Sequence, residues 1–375
     1  MDGLRWHEID ALCSEIDGAV AGLTHHSARL LLDMDPGVDD ALALLLAIGC
    51  GQVEIVGLGT SCGNVGPRQS ALNALKVFDA AGLQVGFPVC AGLDMPLSGW
   101  PPGDKPDAEF IHGPGGLGQN CQPDPDPARL SATNAVGLIL ETYREPSDVV
   151  LLVTGPLTNV AEALRREPGI AANIPRIVFM GGAFKVPGNI APYGEFNVWM
   201  DPVAAAEVFA SPIPMTVVGL DVALQCPLTL ADIEVGLRPE EWKRGKFVRD
   251  ITSHYMGFYR DNEGFNGCYM HDPLAMAVAI WPELVWTRPY NVQVITARDR
   301  ALGSAEAGMA DAFLGAHDSP VRGMTVIDHR ARGNREREPR KDIALAVDSP
   351  EFRLRLMRSL RAVCMDSERL PPVTS

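Results

Sequence analysis

Apolar residues along the chain gather into short runs separated by stretches of helical periodicity. Leu30–Leu32 is the first such run, and others of strand type recur at Glu54–Thr60, Val149–Thr154, Arg176–Met180, Pro214–Leu220 and Asn291–Ile295. Between most of them the apolar positions return every three or four residues, as on one face of a helix. The alternation predicts an α/β fold: an open, mostly parallel, doubly wound sheet with helices on both faces. In a sheet of this kind ligands bind beyond the carboxyl ends of the strands. The pattern from Glu351 to Cys364 predicts a closing helix that packs on the sheet.

Two stretches interrupt the alternation. Pro96 to Pro127 is rich in Pro, Gly and Asp and reads as a long surface loop or an active-site lid. From Arg298 to Arg340 the chain is irregular and ends in the charged run RARGNREREPRK, which reads as a solvated face. The first 28 residues precede the first strand and read as an added helical arm, leaving residues 29–375 as one domain. No internal repeat is visible.

Composition narrows the classes of function. With 375 residues and 46% hydrophobic content the chain can bury a large core. A formal charge of −15 argues against sequence-independent binding to nucleic acid or to an anionic membrane, which need a basic surface. The eight cysteines are widely spaced, with no CxxC pair, and read as buried thiols in a reducing compartment. The acidic start MDGLRWHEIDALCSEIDG does not have the basic and then apolar pattern of a signal peptide, so a cytoplasmic location is expected.

Charge is most concentrated where the first strand meets the first helix. In LLLDMDPGVDDALALLLA, four aspartates (Asp33, Asp35, Asp39 and Asp40) fall within eight residues. Pro36 and Gly37 turn the chain, Asp39 suits the helix N-cap, and Ala41 to Ala47 continue the helix. Capping accounts for one or two of the acids, and Asp33 alone reads as a strand-end acid bonded to loop amides. Carboxylates this close repel one another unless a proton or a cation relieves them, and Asp35, Asp39 and Asp40 together point to a metal site.

Four more segments place polar groups after strands: CGNVG at Cys62–Gly66, VTGPLTN at Val153–Asn159, MGGAFKVPGNIAPYGEFNVWMDP at Met180–Pro202, and YMHDPLA at Tyr269–Ala275. With the aspartate-rich segment, and in this order, they resemble the calcium-dependent nucleoside N-ribohydrolases, the inosine-uridine preferring nucleoside hydrolase family, over about Leu30 to Cys364. The resemblance implies hydrolysis of the N-glycosidic bond of purine or pyrimidine ribonucleosides to free base and ribose, in a homodimer or homotetramer. It makes Asp35 and Asp40 carboxylate ligands of Ca²⁺, with Asp272 a further carboxylate and Thr154 giving its backbone carbonyl. Asp35 would also act as general base on the water that attacks the sugar, without a covalent sugar–enzyme intermediate.

The resemblance further gives Asp39, Asn64, Asn189, Glu195 and Asn197 to the ribose hydroxyls. Met180 matches a residue that packs against the ribose, although a buried strand methionine needs no such role. His271 matches the proposed proton donor to the leaving base, and otherwise reads as a structural histidine beside a ligand. His112, within IHGPGG, resembles a loop histidine at the site mouth. Trp100 is a candidate for stacking on the base, whereas Trp199 reads as core or interface. The Gly181–Gly182 pair lacks GxGxxG spacing and is explained by close approach of backbone to ligand.

Two rival functions remain at this stage. A phosphatase of the haloacid dehalogenase type also has a strand followed by DxD, but it leaves the GN…EFN and HDP segments without work. A non-catalytic nucleoside- or calcium-binding protein would not require both a base at Asp35 and an acid at His271.

Overall fold

The computed structural model describes residues 27–100, 108–296, 320–330 and 339–365. Nearly all of the expected amino-terminal arm, and most of the Arg298–Arg340 stretch, lie outside the described residues. Twelve strands are described: β1 (Ala28–Met34), β2 (Val53–Thr60), β3 (Val89–Ala91), β4 (Val150–Val153), β5 (Ile177–Met180), β6 (Met215–Val218), β7 (Pro227–Thr229), β8 (Gly267–Tyr269), β9 (Val285–Tyr290), β10 (Val292–Val294), β11 (Thr325–Ile327) and β12 (Lys341–Val347). Eight of them form the central sheet, in the order β3-β2-β1-β4-β5-β6-β12-β9. All its pairings are parallel except that of β12 with β9.

The helices are α1 (Val38–Cys50), α2 (Pro67–Ala80), α3 (Glu109–His112), α4 (Ala135–Thr142), α5 (Thr158–Arg166), α6 (Phe196–Met200), α7 (Pro202–Ala210), α8 (Leu220–Ala223), α9 (Lys243–Glu263), α10 (His271–Ile280) and α11 (Ser349–Cys364). They divide between the two faces of the sheet. Leu30, Leu32, Met34, Leu152, Val178 and Val218 pack with α1, α2, α9, α10 and α11. Leu31, Leu151, Val153, Phe179 and Val217 point the other way, onto α4, α5 and α7. Successive side chains of one strand thus feed two cores, so the strands read as unbroken apolar runs rather than alternating ones.

The order of strands also locates the site. From β1 the chain winds outward through β2 and β3, then returns to start again at β4 on the other side of β1. In a sheet wound this way ligands bind in the crevice at the carboxyl ends where the winding reverses, and there Thr154 after β4 faces Asp40 after β1.

Three expectations from the sequence need correction. Asn291–Ile295 does contain a strand, β10, but it pairs with β11 outside the main sheet, whose antiparallel edge is β9 instead. β11 itself falls within the stretch read as irregular. The closing helix α11 forms, but its most extensive packing is on α1 rather than on the strands. No helix among the described residues is long and apolar enough to cross a membrane.

Candidate active site

The turn after β1 supplies three acids to the crevice. Its helix begins two residues earlier than expected: Gly37 is the N-cap of α1, and Asp40 rather than Asp39 does the capping, accepting the Gly37 N–H at 3.1 Å. Asp39 and Asp40 therefore both lie in the first turn, where the unpaired N–H groups and the helix dipole favour negative charge. Asp272 has the same position in α10, which packs against α1. Two helix N-termini thus bring Asp39, Asp40 and Asp272 together, with one carboxylate oxygen of each within 4.8 Å of the others. All three are buried.

Asp35 lies beside this group. Its Oδ2 accepts the Asn64 N–H at 2.8 Å, while Asn64 Nδ2 donates to the Asp35 carbonyl at 3.2 Å. Glycines wall the carboxylate in on both sides. A Cβ on Gly63 would fall 1.8 Å from Asp35 Oδ2, and one on Gly155 2.9 Å from Oδ1. Asp33 points elsewhere, accepting Asn159 Nδ2 at 2.8 Å, in keeping with a strand-end role.

Crowding sets the electrostatics. Burial first, then the charge of Asp40, pushes Asp35 well above the usual carboxylate range and Asp39 to about 7. Asp272 is pushed well above the range by burial and then by Asp39, Asp40 and Asp35. Without a cation the cluster must therefore hold protons. Its donors are all oxygens, the set a hard divalent cation takes. Asp39 Oδ1 is in addition a buried acceptor with no hydrogen-bond donor in reach, as a ligand-binding atom would be.

The remaining residues named from the sequence form the walls. Thr154 follows β4 and donates its hydroxyl to Asp40 Oδ1 at 2.7 Å, and its carbonyl accepts Asn197 Nδ2 at 2.7 Å. Asn197 Nδ2 also donates to the Met180 carbonyl at 3.0 Å and touches the Met180 sulfur at 3.5 Å. Glu195 caps α6, accepting the N–H groups of Asn197 and Val198 and, across the gap, that of Gly182 at 2.9 Å. Asn189 is different: it is exposed, and its side chain accepts the Phe196 N–H at 2.9 Å. It supports the wall from outside. Trp199 and Trp100 are both half-buried.

An aromatic chain closes the remaining side. Tyr255 on α9 directs its hydroxyl to Asp39 Oδ2 at 3.5 Å and lies 3.4 Å from the Tyr259 hydroxyl. Tyr259 in turn reaches His271 Nε2 at 3.2 Å, while His271 Nδ1 is buried without a partner. His112 stacks on Tyr255 with ring centroids 5.0 Å apart, and its Nδ1 accepts the Val38 N–H at 3.2 Å. Burial lowers the pKa of His271 to about 4 and that of His112 to about 3, so both imidazoles are neutral at pH 7. The two tyrosines were not singled out from the sequence. Their four-residue spacing on one helical face, next to the HDP segment, is the signal that could have found them.

Comparisons with known proteins place the chain in a family. The family model described as inosine-uridine preferring nucleoside hydrolase matches residues 30–353. The chain is 36% identical over 271 residues to the probable uridine nucleosidase 1 of Oryza sativa subsp. japonica, covering 72% of this chain and 82% of that one. It is 33% identical over 326 residues to the inosine-uridine preferring nucleoside hydrolase of Leishmania major, covering 86% and 94%. A solved structure titled purine-preferring ribonucleoside hydrolase from Gardnerella vaginalis matches it with a TM-score of 0.75 and 34% identity, over 90% of this chain and 99% of that one.

Proposed function

Since the chain belongs to the inosine-uridine preferring nucleoside hydrolase family, whose members cleave the N-glycosidic bond of ribonucleosides, we propose how its residues divide that work. The observation that carries the assignment is the convergence of Asp39, Asp40 and Asp272, with Asp35 alongside, where the winding of the sheet reverses. The phosphatase alternative loses its support, because the whole run of motifs now has one family to explain it.

The oxygen-only donors fit Ca²⁺ better than Zn²⁺, which draws on His and Cys. Asp35, Asp40, Asp272 and the Thr154 carbonyl would hold the ion, with Asn197 fixing the direction of that carbonyl. A bound cation lowers the pKa of water and polarises sugar hydroxyls.

The chain's own groups do the rest. Asp35, enclosed by Gly63 and Gly155, accepts the proton of the attacking water. Asp39, with Oδ1 unpaired and Oδ2 3.5 Å from the Tyr255 hydroxyl, accepts a ribose hydroxyl. Asn64, Asn197 and Glu195 shape the sugar pocket with Met180 as an apolar floor, and Asn189 braces the loop above it. The net negative charge of the pocket favours the cationic sugar of an oxocarbenium-like transition state. His271, neutral at pH 7, gives its Nδ1 proton to the departing base as the Tyr259 hydroxyl, 3.2 Å from Nε2, returns one there, so that the imidazole stays neutral.

A cytoplasmic location and a homodimeric or homotetrameric assembly complete the proposal. The location suits the seven described cysteines, all free thiols. The test is a panel of ribosides, inosine and uridine first, assayed for released ribose with and without a chelator. Release that stops with the chelator and returns with Ca²⁺ is expected. No release from any riboside would leave the non-catalytic binding role. Comparing His271→Ala on inosine and on a p-nitrophenyl riboside tests the acid: the loss should be far larger on inosine, and equal losses would remove that role.

A further inference from the structure

The ribose pocket proposed above has two walls, Met180–Ala183 after β5 and Glu195–Met200 around α6. What keeps them apart by the right distance comes from a third and distant segment. Gly194 pairs with Met324 in an antiparallel bridge, so residues 322–325 run alongside both walls. Arg322 is 8% exposed. Its Nε donates to the Trp199 carbonyl at 3.0 Å and its Nη2 to the Met200 carbonyl at 3.4 Å and to Ser98 Oγ at 3.3 Å. The guanidinium also lies 5.4 Å from the centroid of the Trp199 ring. Three residues on, buried Thr325 grips the other wall: its hydroxyl donates to the Ala183 carbonyl at 2.8 Å and accepts the Ala183 N–H at 3.1 Å. Gly323 allows the contact, since with φ +70° any Cβ there would come within 2.5 Å of Trp199 Cα.

A helix of five residues has no stability of its own, so its direction is set by whatever holds its ends. Glu195 holds the N-terminus of α6. At the C-terminus, Arg322 supplies charged donors to the last carbonyls and complements the negative end of the dipole. Between these two anchors sits Asn197, whose amide reaches both Thr154 and Met180.

We propose that Arg322 and Thr325 are positioning residues that strap the two walls of the ribose pocket together, fixing Asn197 against Thr154 and Met180. The inference rests on the assignment of those walls to ribose. Neither residue touches the sugar. A lysine at 322 would keep the charge but not the planar fork that spans two carbonyls and stacks on Trp199.

The test uses the full chain with Ca²⁺ present and four variants: Arg322→Lys, Arg322→Met, Thr325→Ser and Thr325→Val. For each, kcat and KM on uridine and inosine, the dissociation constant of D-ribose and the thermal midpoint are measured. Arg322→Met and Thr325→Val should raise KM and weaken ribose binding by about tenfold or more, as expected for misplaced contacts, with a smaller change in kcat. Thr325→Ser should stay within about threefold of the parent, because its hydroxyl survives, and Arg322→Lys should fall between. Ribose binding and KM at parental values in both Arg322→Met and Thr325→Val, with only the midpoint lowered, would overturn the proposal. Should Arg322→Met fail to fold, Thr325→Val against Thr325→Ser decides the matter by the same criteria. A parent enzyme that releases no ribose from any riboside would instead remove the assignment of the walls, before any variant is made.

Discussion

Replacing Gly63 with alanine adds one methyl group at the most confined point of the pocket. The new Cβ would lie 1.8 Å from Asp35 Oδ2, with the carboxyl carbon at 2.6 Å. The backbone of Gly63 is not in the left-handed region, so the perturbation is steric rather than conformational. Reaching an ordinary van der Waals separation would move that oxygen by about 1.5 Å. Retreat is blocked: the Gly155 backbone closes the far side, and leaving the place also breaks the 2.8 Å bond from the Asn64 N–H. A misplacement of about 1 Å in a reacting group costs on the order of 100-fold, or about 2.7 kcal/mol in transition-state stabilisation. Loss of one buried hydrogen bond lowers stability by about 1–2 kcal/mol, which leaves a chain of this size folded. The assay is kcat/KM on uridine and inosine together with a urea melt, and Gly86→Ala is the control, since a Cβ there meets nothing within 4 Å. A Gly63→Ala enzyme with more than half the parental kcat/KM would refute the claim that the Asp35 carboxylate must stay where it is.

Other expectations concern the ion, the sugar and the far end of the sheet. Because the clustered carboxylates repel one another, Ca²⁺ at a hundred times its dissociation constant should add about 2.7 kcal/mol of stability. A thermal midpoint indifferent to chelator and to added Ca²⁺ would remove the cation assignment. A pocket built to bond ribose hydroxyls should reject 2′-deoxyinosine relative to inosine by on the order of 10⁴ in kcat/KM, and equal rates would undo the sugar clamp. Lys341 is buried at the start of β12, donating to the Ser211 and Ile213 carbonyls at 2.7 Å each. Lys341→Met should lower the unfolding free energy by about 1–3 kcal/mol in a urea melt, by stranding the buried Ile213 carbonyl, while the half-buried Ser211 carbonyl can turn to water. KM should be unaffected, and a raised KM would show coupling between the two ends of the sheet.

What the sequence made legible follows from how each element is buried. β1, β2, β4, β5 and β6 lie inside the sheet with both faces covered, so they appear as compact apolar runs. β9 is an edge strand, and its residues Trp286–Pro289 are exposed, which hides it. β3 has only three residues. β12 is masked by the charged run before it, whose last member, Lys341, proves to be buried rather than solvated. At the site, the motif acids were legible because four carboxylates within eight residues have no comfortable fate without a ligand. The capping role went to Asp40 rather than Asp39 because Gly37 occupies the N-cap and the third residue of the helix reaches back to its N–H. Tyr255 and Tyr259 left one trace, their four-residue spacing on a helical face, but it does not name Asp39 and His271 as their partners. Arg322 and Thr325 were not legible, since their partners Trp199 and Ala183 are distant in the chain and local periodicity carries no trace of such pairings.

The position of β12 also dictates the order in which the molecule can be built. This strand occupies an interior place, parallel to β6 on one side and antiparallel to β9 on the other, yet it is made after both. Until the ribosome has released residues 341–347, β6 and β9 each expose a bare row of amides and carbonyls. Neither can complete its hydrogen bonding. During that interval the nascent chain presents sticky borders to its neighbours, as late long-range pairing generally does. A nascent chain that has emerged from the ribosome only as far as residue 340 should therefore recruit chaperones, and emergence of residues 341–347 should end that dependence.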